Sequence, residues 1–208
     1  MNPDKHLLKH PFYQAWSAGQ LPLAALRTYA RQYYHHVEAF PRYVSATHSN
    51  CERVENRQTL LENLIDEERG ADHHPELWLR FAEALGDDRE TVKKEPLLPQ
   101  TRSLIDTFVS LSRSSYAEGL GALHAYESQV PTVAASKIEG LQTHYGIHSD
   151  RALEFFRVHL KADIYHAEAA ARLLSELSPE ERSLAEAASN RAADALWTFL
   201  DGAYASCH

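Results

Sequence analysis

Val158-His-Leu-Lys-Ala-Asp-Ile-Tyr-His166 lies within a run from Asp150 to about Leu177 that contains neither proline nor glycine and is rich in Ala, Leu, Glu and Arg. Those residues favour helix, and a run of this length is hard to read as anything else. At roughly 100° per residue, Asp163 falls about 40° round from His159, and His166 about 20° the other way. Two imidazoles and a carboxylate therefore share one narrow strip. Leu153, Phe156 and Leu160 make the neighbouring strip apolar, which sets the polar trio at the edge of a core. Unpartnered ionisable groups are costly there, and a metal ion would satisfy all three at once. The bland alternative is a solvated or hydrogen-bonded polar cluster, so partners must be sought along the rest of the chain.

Composition bounds the answer. The chain has 208 residues, 44% of them apolar, enough to close the core of one compact domain spanning 1–208. Glycine totals 8 and alternating β-branched runs are scarce, so an all-α bundle is expected. The net charge of −8 leaves no basic face for nucleic acid or an anionic membrane. Cys51 and Cys207 form no disulfide framework and match no zinc spacing. With no secretory signal and no apolar run near about 18 residues, a cytoplasmic protein with reduced thiols is expected.

The chain reads as about eight helices. A short first one is expected from about Pro3 to Trp16, interrupted at Pro11, because proline lacks the donor that a helix interior needs. A second is expected from about Pro22 to Phe40, with Pro41 restarting a further one to about Ser49. Leu26, Tyr29, Tyr33 and His36 recur there at spacings of 3, 4 and 3. Such a stripe is a buried face, and tyrosine hydroxyls in a core need partners. The next helix, about Val54 to Arg69, has Leu60, Leu61, Leu64 and Ile65 as its apolar face. Glu67 extends the Leu60–Leu64 row and Glu68 the Leu61–Ile65 row. Pro75 opens a helix after His73-His74, and Gly86 closes it. Asp87 to Pro99 reads as a loop with one helical turn. Helices are then expected over about Leu104–Leu111, Tyr116–Ser128 and Val133–Tyr145, the last capped by Gly146. Ser178-Pro-Glu-Glu181 has capping-box spacing and starts a final helix to about Ala203.

Dimetal centres bridged by carboxylates in helical bundles draw Glu and His from several helices, with a carboxylate and a His three residues apart on one of them. Asp163-x-x-His166 has that spacing. Glu127 offers a second carboxylate, and Glu67 with His74 a third contribution. Six oxygen and nitrogen ligands suit iron or manganese better than structural zinc. Periodicity alone does not choose between Glu67 and Glu68, nor between His73 and His74.

Taken together, Asn63-Leu-Ile-Asp-Glu-Glu-Arg-Gly70, the following His74, Ala125-Tyr-Glu127 and His159-x3-Asp163-x2-His166 resemble the haem-oxygenase-like dimetal oxidases. His10-Pro-Phe-Tyr13 and Tyr29-Ala-Arg-Gln-Tyr-Tyr-His-His36 narrow the resemblance. They point to the group of the Chlamydia protein associating with death domains and its bacterial relatives, broadly described as pyrroloquinoline-quinone synthase C-like. The resemblance covers nearly the whole chain. It implies a haem-oxygenase-like bundle of seven to eight helices, a homodimer, two transition-metal ions (iron, or iron plus manganese), dioxygen and an external electron donor. It selects Glu67 and His74, which with Glu127, His159, Asp163 and His166 fill six ligand positions. It also implies a self-sacrificing synthesis of p-aminobenzoate for folate biosynthesis. The ring would come from Tyr13 and the amino group from Lys137, with Tyr29 and Tyr126 near the metals relaying an oxidising equivalent. Burial beside Val133 and Ile138 would favour the neutral amine that Lys137 needs.

Other readings compete. A conventional oxidase on this fold would act on a diffusible small molecule. A cofactorless quinone synthase would not need a full ligand set. A thiamin-degrading enzyme would use a cysteine, and neither Cys51 nor Cys207 has a suitable context. Haem binding through His6 or His10 would leave the acids unexplained. A non-enzymatic interaction protein would use the acidic surface, although no exposed apolar stripe is evident in the sequence.

Overall fold

The computed structural model describes residues 5–206, and of residues 161 and 162 the backbone. The expected helix start at Pro3, and Cys207, lie outside the described residues. After a 3₁₀ turn at Leu7–Lys9 come helices α1 (Pro11–Ser17), α2 (Leu23–Ser49), α3 (Val54–Glu68), α4 (His74–Ala84) and α5 (Arg89–Lys94). They are followed by α6 (Pro99–Ser114), α7 (Tyr116–Glu127), α8 (Val130–Tyr145), α9 (Asp150–Ser175) and α10 (Pro179–Ala205). Set apart from the short α1 and α5, eight helices remain to build the bundle. No strand occurs among the described residues, and none of their helices is long and apolar enough to cross a membrane.

Local chemistry sets the helix ends. Ser149 accepts the Ala152 N–H and opens α9, while Ser178 and Glu181 close a reciprocal capping box on α10. His10 caps α1 where the chain restarts at Pro11, the expected interruption. Its Nδ1 accepts the Phe12 N–H at 3.0 Å, and Pro11 occupies a first turn where no donor is missed. Gly146 takes a left-handed φ of 67° to end α8.

Two expectations are corrected. Pro41 does not restart a helix: α2 runs straight through it. One backbone hydrogen bond is lost, but Phe40, Pro41, Tyr43 and Val44 are all buried, and that packing outweighs it. The apolar face of α3 is also narrower than expected. Leu60 is buried, whereas Leu61 is 42% and Ile65 36% exposed. With Ile164 and Tyr165 of α9, also exposed, they form apolar surface that the sequence pattern did not suggest.

The bundle's core is aromatic. Phe12, Trp16, Tyr29, Trp78, Phe81, Phe156 and Phe199 are fully buried, and the Leu26, Tyr29, Tyr33 and His36 stripe faces them from α2. Helix α9 packs against both α4 and α8, and also meets α3 and α7. It therefore sits where ligands from α3, α4 and α7 can converge, with α1, α2 and α8 close behind.

Candidate metal centre

The six residues of the expected ligand set come from four helices, and all are 2–4% exposed: Glu67 on α3, His74 on α4, Glu127 on α7, and His159, Asp163 and His166 on α9. Burial separates the pairs that periodicity left open. Glu68 is exposed, while His73 stays outside as the N-cap of α4, accepting the Glu76 N–H. Glu67 lies on the Leu60–Leu64 row, the one that turns inward.

Glu67, His74 and His159 each bring one ligand atom to within 4.8 Å of the others. His74 donates from Nδ1 to Glu67 Oε2 at 2.7 Å. His159 donates from Nδ1 to the Phe155 carbonyl at 2.6 Å. That bond fixes its tautomer and leaves Nε2 with a lone pair, as an outer-shell partner does for a ligating imidazole. Among the described residues, the other three do not join this triad at that spacing. They lie beside it: Glu127 and His166 line one small void, and Asp163 feels the charges of both Glu127 and Glu67.

The metal-free cluster is electrostatically uncomfortable. Burial pushes Glu127 up to about 8, against the pull of its hydrogen bond from Asn63 and with the push of Glu67. Burial, then Glu127 and Glu67, hold Asp163 well above the usual carboxylate range. Burial, then His74, drives His159 well below the usual imidazole value. Burial also lowers His74, but Glu67 outweighs it and the net shift is upward. Asp163 Oδ2 and His166 Nε2 have no hydrogen-bond partner, although His166 Nε2 lies 3.2 Å from Asp66 Oδ2. Three carboxylates and three imidazoles packed away from water would be compensated by cations held between them. The all-oxygen-and-nitrogen donor set fits iron or manganese.

A second group of residues lies against this cluster. Tyr13, Tyr29, Tyr33, Tyr126 and Lys137 are all at least nine-tenths buried. Lys137 Nζ donates to Tyr29 Oη at 2.7 Å, and the Tyr29 and Tyr13 hydroxyls are 3.1 Å apart. Tyr29 stacks on Tyr33 with centroids 5.3 Å apart, and Tyr33 donates to Tyr126 Oη at 2.8 Å. Tyr126 is the neighbour of Glu127 in sequence. Burial raises all four phenols, so they are neutral. The same burial lowers Lys137 to about 7. His159, Tyr13, Tyr33, Tyr126 and Lys137 line one cavity, with about 20 Å³ of room for the centre of a water-sized molecule.

Sequence reasoning missed two participants. In the sequence Tyr33 has no role beyond a stripe whose hydroxyls need partners, yet its hydroxyl donates to Tyr126 Oη and so joins the tyrosine group. Asn63 carried no role, yet its Nδ2 donates to Glu127 Oε1 at 2.6 Å. Asn63 lies one turn before Glu67 on the inward row, and that was the available signal.

Comparison with known proteins follows the geometry. The model of a family described as iron-containing redox enzymes matches residues 27–199. The chain is 47% identical to a 4-aminobenzoate synthase of Nitrosomonas europaea, over 96% of this chain and 86% of that protein. It is 39% identical to a 4-aminobenzoate synthase of Chlamydia muridarum, over 95% and 84%. A solved domain from Shewanella denitrificans with a haem-oxygenase-like fold superposes with a TM-score of 0.84 at 21% identity, over 98% and 87%. That last likeness speaks to the fold alone.

Proposed function

This chain belongs to the haem-oxygenase-like family of iron-containing redox enzymes, and from that premise we propose that it makes 4-aminobenzoate in an oxygen-dependent reaction that consumes its own Tyr13 and Lys137. The names of the relatives support the product. The self-consuming part rests on one observation, the filled chamber. A cavity with about 20 Å³ for a water-sized centre has no place for a diffusible aromatic substrate. A phenol and a primary amine, the two parts of the product, already sit there, with Nζ 5.4 Å from the centre of the Tyr13 ring.

Each residue then has a task. Lys137 supplies the amine, and with a pKa near 7 an appreciable share carries a free lone pair at neutral pH. Tyr29 holds Nζ and the Tyr13 hydroxyl against one another. Tyr29, Tyr33 and Tyr126 form a run of oxidisable phenols from Tyr13 towards Glu127. Within that run, hydroxyl–hydroxyl contacts at Tyr13–Tyr29 and Tyr33–Tyr126 give a departing proton somewhere to go. Glu67, His74, Glu127, His159, Asp163 and His166 would hold two transition-metal ions, iron or iron with manganese. Such a pair, when bound, supplies dioxygen activation with electrons from an external donor.

One observation favours a second reading, a conventional oxidase. An open cleft of about 940 Å³ reaches His74 from outside, which would give a diffusible small molecule access to that side of the cluster. One experiment separates the two. Protein supplied with iron(II), manganese(II), reductant and dioxygen should yield at most one equivalent of 4-aminobenzoate per chain, and peptide mass spectrometry should find Tyr13 altered. Repeated turnover with Tyr13 intact would sink the self-consuming reading and favour the second.

A further inference from the structure

We propose that dioxygen reaches the metal centre through a gap between α3 and α9, separate from the tyrosine chamber. The gap is a void with about 10 Å³ of room for the centre of a small molecule, which is about one water's worth. Its floor includes Glu127, His166 and Asn63, and its walls include Leu60, Leu123, Ala170 and Leu173. Thr59 and Ala169 also line it, and being half-buried they are its outermost residues. Arg172 donates to Thr59 Oγ1 at 3.2 Å.

Two features make this a site rather than a packing defect. It borders two of the six expected ligands, Glu127 and His166. The walls are aliphatic, and a small apolar molecule gains by leaving water for such a lining. Dioxygen combines small size with poor hydration. The void also opens on a different side of the cluster from the amine and phenols. His159 and Tyr126 line the chamber, Glu127 and His166 line the void, and no residue lines both. The outer cleft reaches only His74, whose Nδ1 is already engaged by Glu67. The oxidant would thus arrive without crossing Tyr13 or Lys137.

This inference rests on the oxygen-dependent reading above, but its test does not use product formation. The full chain, filled with diamagnetic zinc(II) and labelled at its Leu and Ala methyls, is placed under dissolved dioxygen at elevated pressure. Paramagnetic relaxation of each methyl is then read by NMR. Leu60, Leu123, Ala170 and Leu173 should relax several-fold more strongly than Leu196, Leu200 and Ala134, which line the chamber. Equal or reversed enhancement overturns the proposal. Ala169→Phe, at the half-buried edge of the void, should abolish the enhancement with the zinc content unchanged by mass spectrometry. Enhancement that survives that change overturns the route. A failure to form 4-aminobenzoate would count against the proposed function and leave the methyl result standing.

Discussion

Lys137 donates from Nζ to Tyr29 Oη over 2.7 Å, and among the described residues it has no carboxylate partner. Its ammonium form is held only by that hydroxyl and by the faces of rings such as Tyr33 and Trp78, at 5.1 and 5.5 Å. Ring faces return a modest part of the lost hydration, which is why burial brings the pKa from 10.5 to about 7.

That shift predicts a pH dependence. If the neutral amine reacts, single-turnover product should rise with pH through about 7 and then level off. Stability should move the same way. Above about 7 the folded chain has lost a proton that the unfolded chain keeps to about 10.5, so stability climbs across that window. Lys137→Met should therefore stabilise the protein by about 1–3 kcal/mol at pH near 6 while abolishing product. Chemical denaturation of both proteins checks this, and a destabilised Met variant would show that the buried charge is better solvated than its surroundings suggest.

Glu127 predicts the opposite slope. Burial raises its pKa from 4.5 to about 8, so the metal-free folded chain holds a proton there that the unfolded chain releases. Stability from this group is lost as pH rises through that window. Glu127→Gln keeps an acceptor for Asn63 and removes the titration. In metal-free protein it should become more stable than the parent as pH rises from about 5 to 8, by about 1–3 kcal/mol at the upper end. Adding iron(II) should stabilise the parent and reverse the order, because the ionised carboxylate is the better ligand. Thermal melts with and without metal decide it.

The α3 rows give a paired prediction. Leu60→Ala should cost about 2–4 kcal/mol, whereas Leu61→Ala should stay within about 0.5 kcal/mol. Likewise Glu67→Ala should lower bound metal per chain, while Glu68→Ala should not. Elemental analysis of the two acid variants is enough, and equal loss from both would refute the inward assignment of Glu67.

That contrast also marks where the sequence stops being readable. The α9 strip was legible because one helix carries His159, Asp163 and His166, and the helical period alone aligns them. On α3, two adjacent four-residue rows are equally apolar, and only the neighbouring helices decide which is buried. Pro41 misled because a local rule was overridden by packing that the local sequence does not encode. Tyr33 looked like ordinary core because its partner Tyr126 lies 93 positions away. Lys137 is harder still. A lysine on an amphipathic helix normally reaches water, and only the aromatic side chains brought round it by α1, α2, α4 and α9 prevent that.

Gly140 tests whether the spacing of Tyr13 and Lys137 matters beyond stability. A methyl group there would stand 2.6 Å from Trp16 Cδ1. Trp16 shares α1 with Tyr13 and donates from Nε1 to the Lys137 carbonyl at 3.4 Å, so Gly140→Ala must push α1 away from α8. The overpacking should cost about 1–3 kcal/mol. Gly146 is the control: its φ of 67° strains any side chain, yet a methyl there meets nothing within 4 Å. Gly146→Ala should cost about 1–2 kcal/mol through backbone strain alone. Both variants should retain metal. Product per chain should fall sharply in Gly140→Ala and hold in Gly146→Ala, because only the first moves the phenol relative to the amine. Equal product from the two, at matched stability, would mean that the pair tolerates displacement and that the close packing of α1 on α8 serves folding alone.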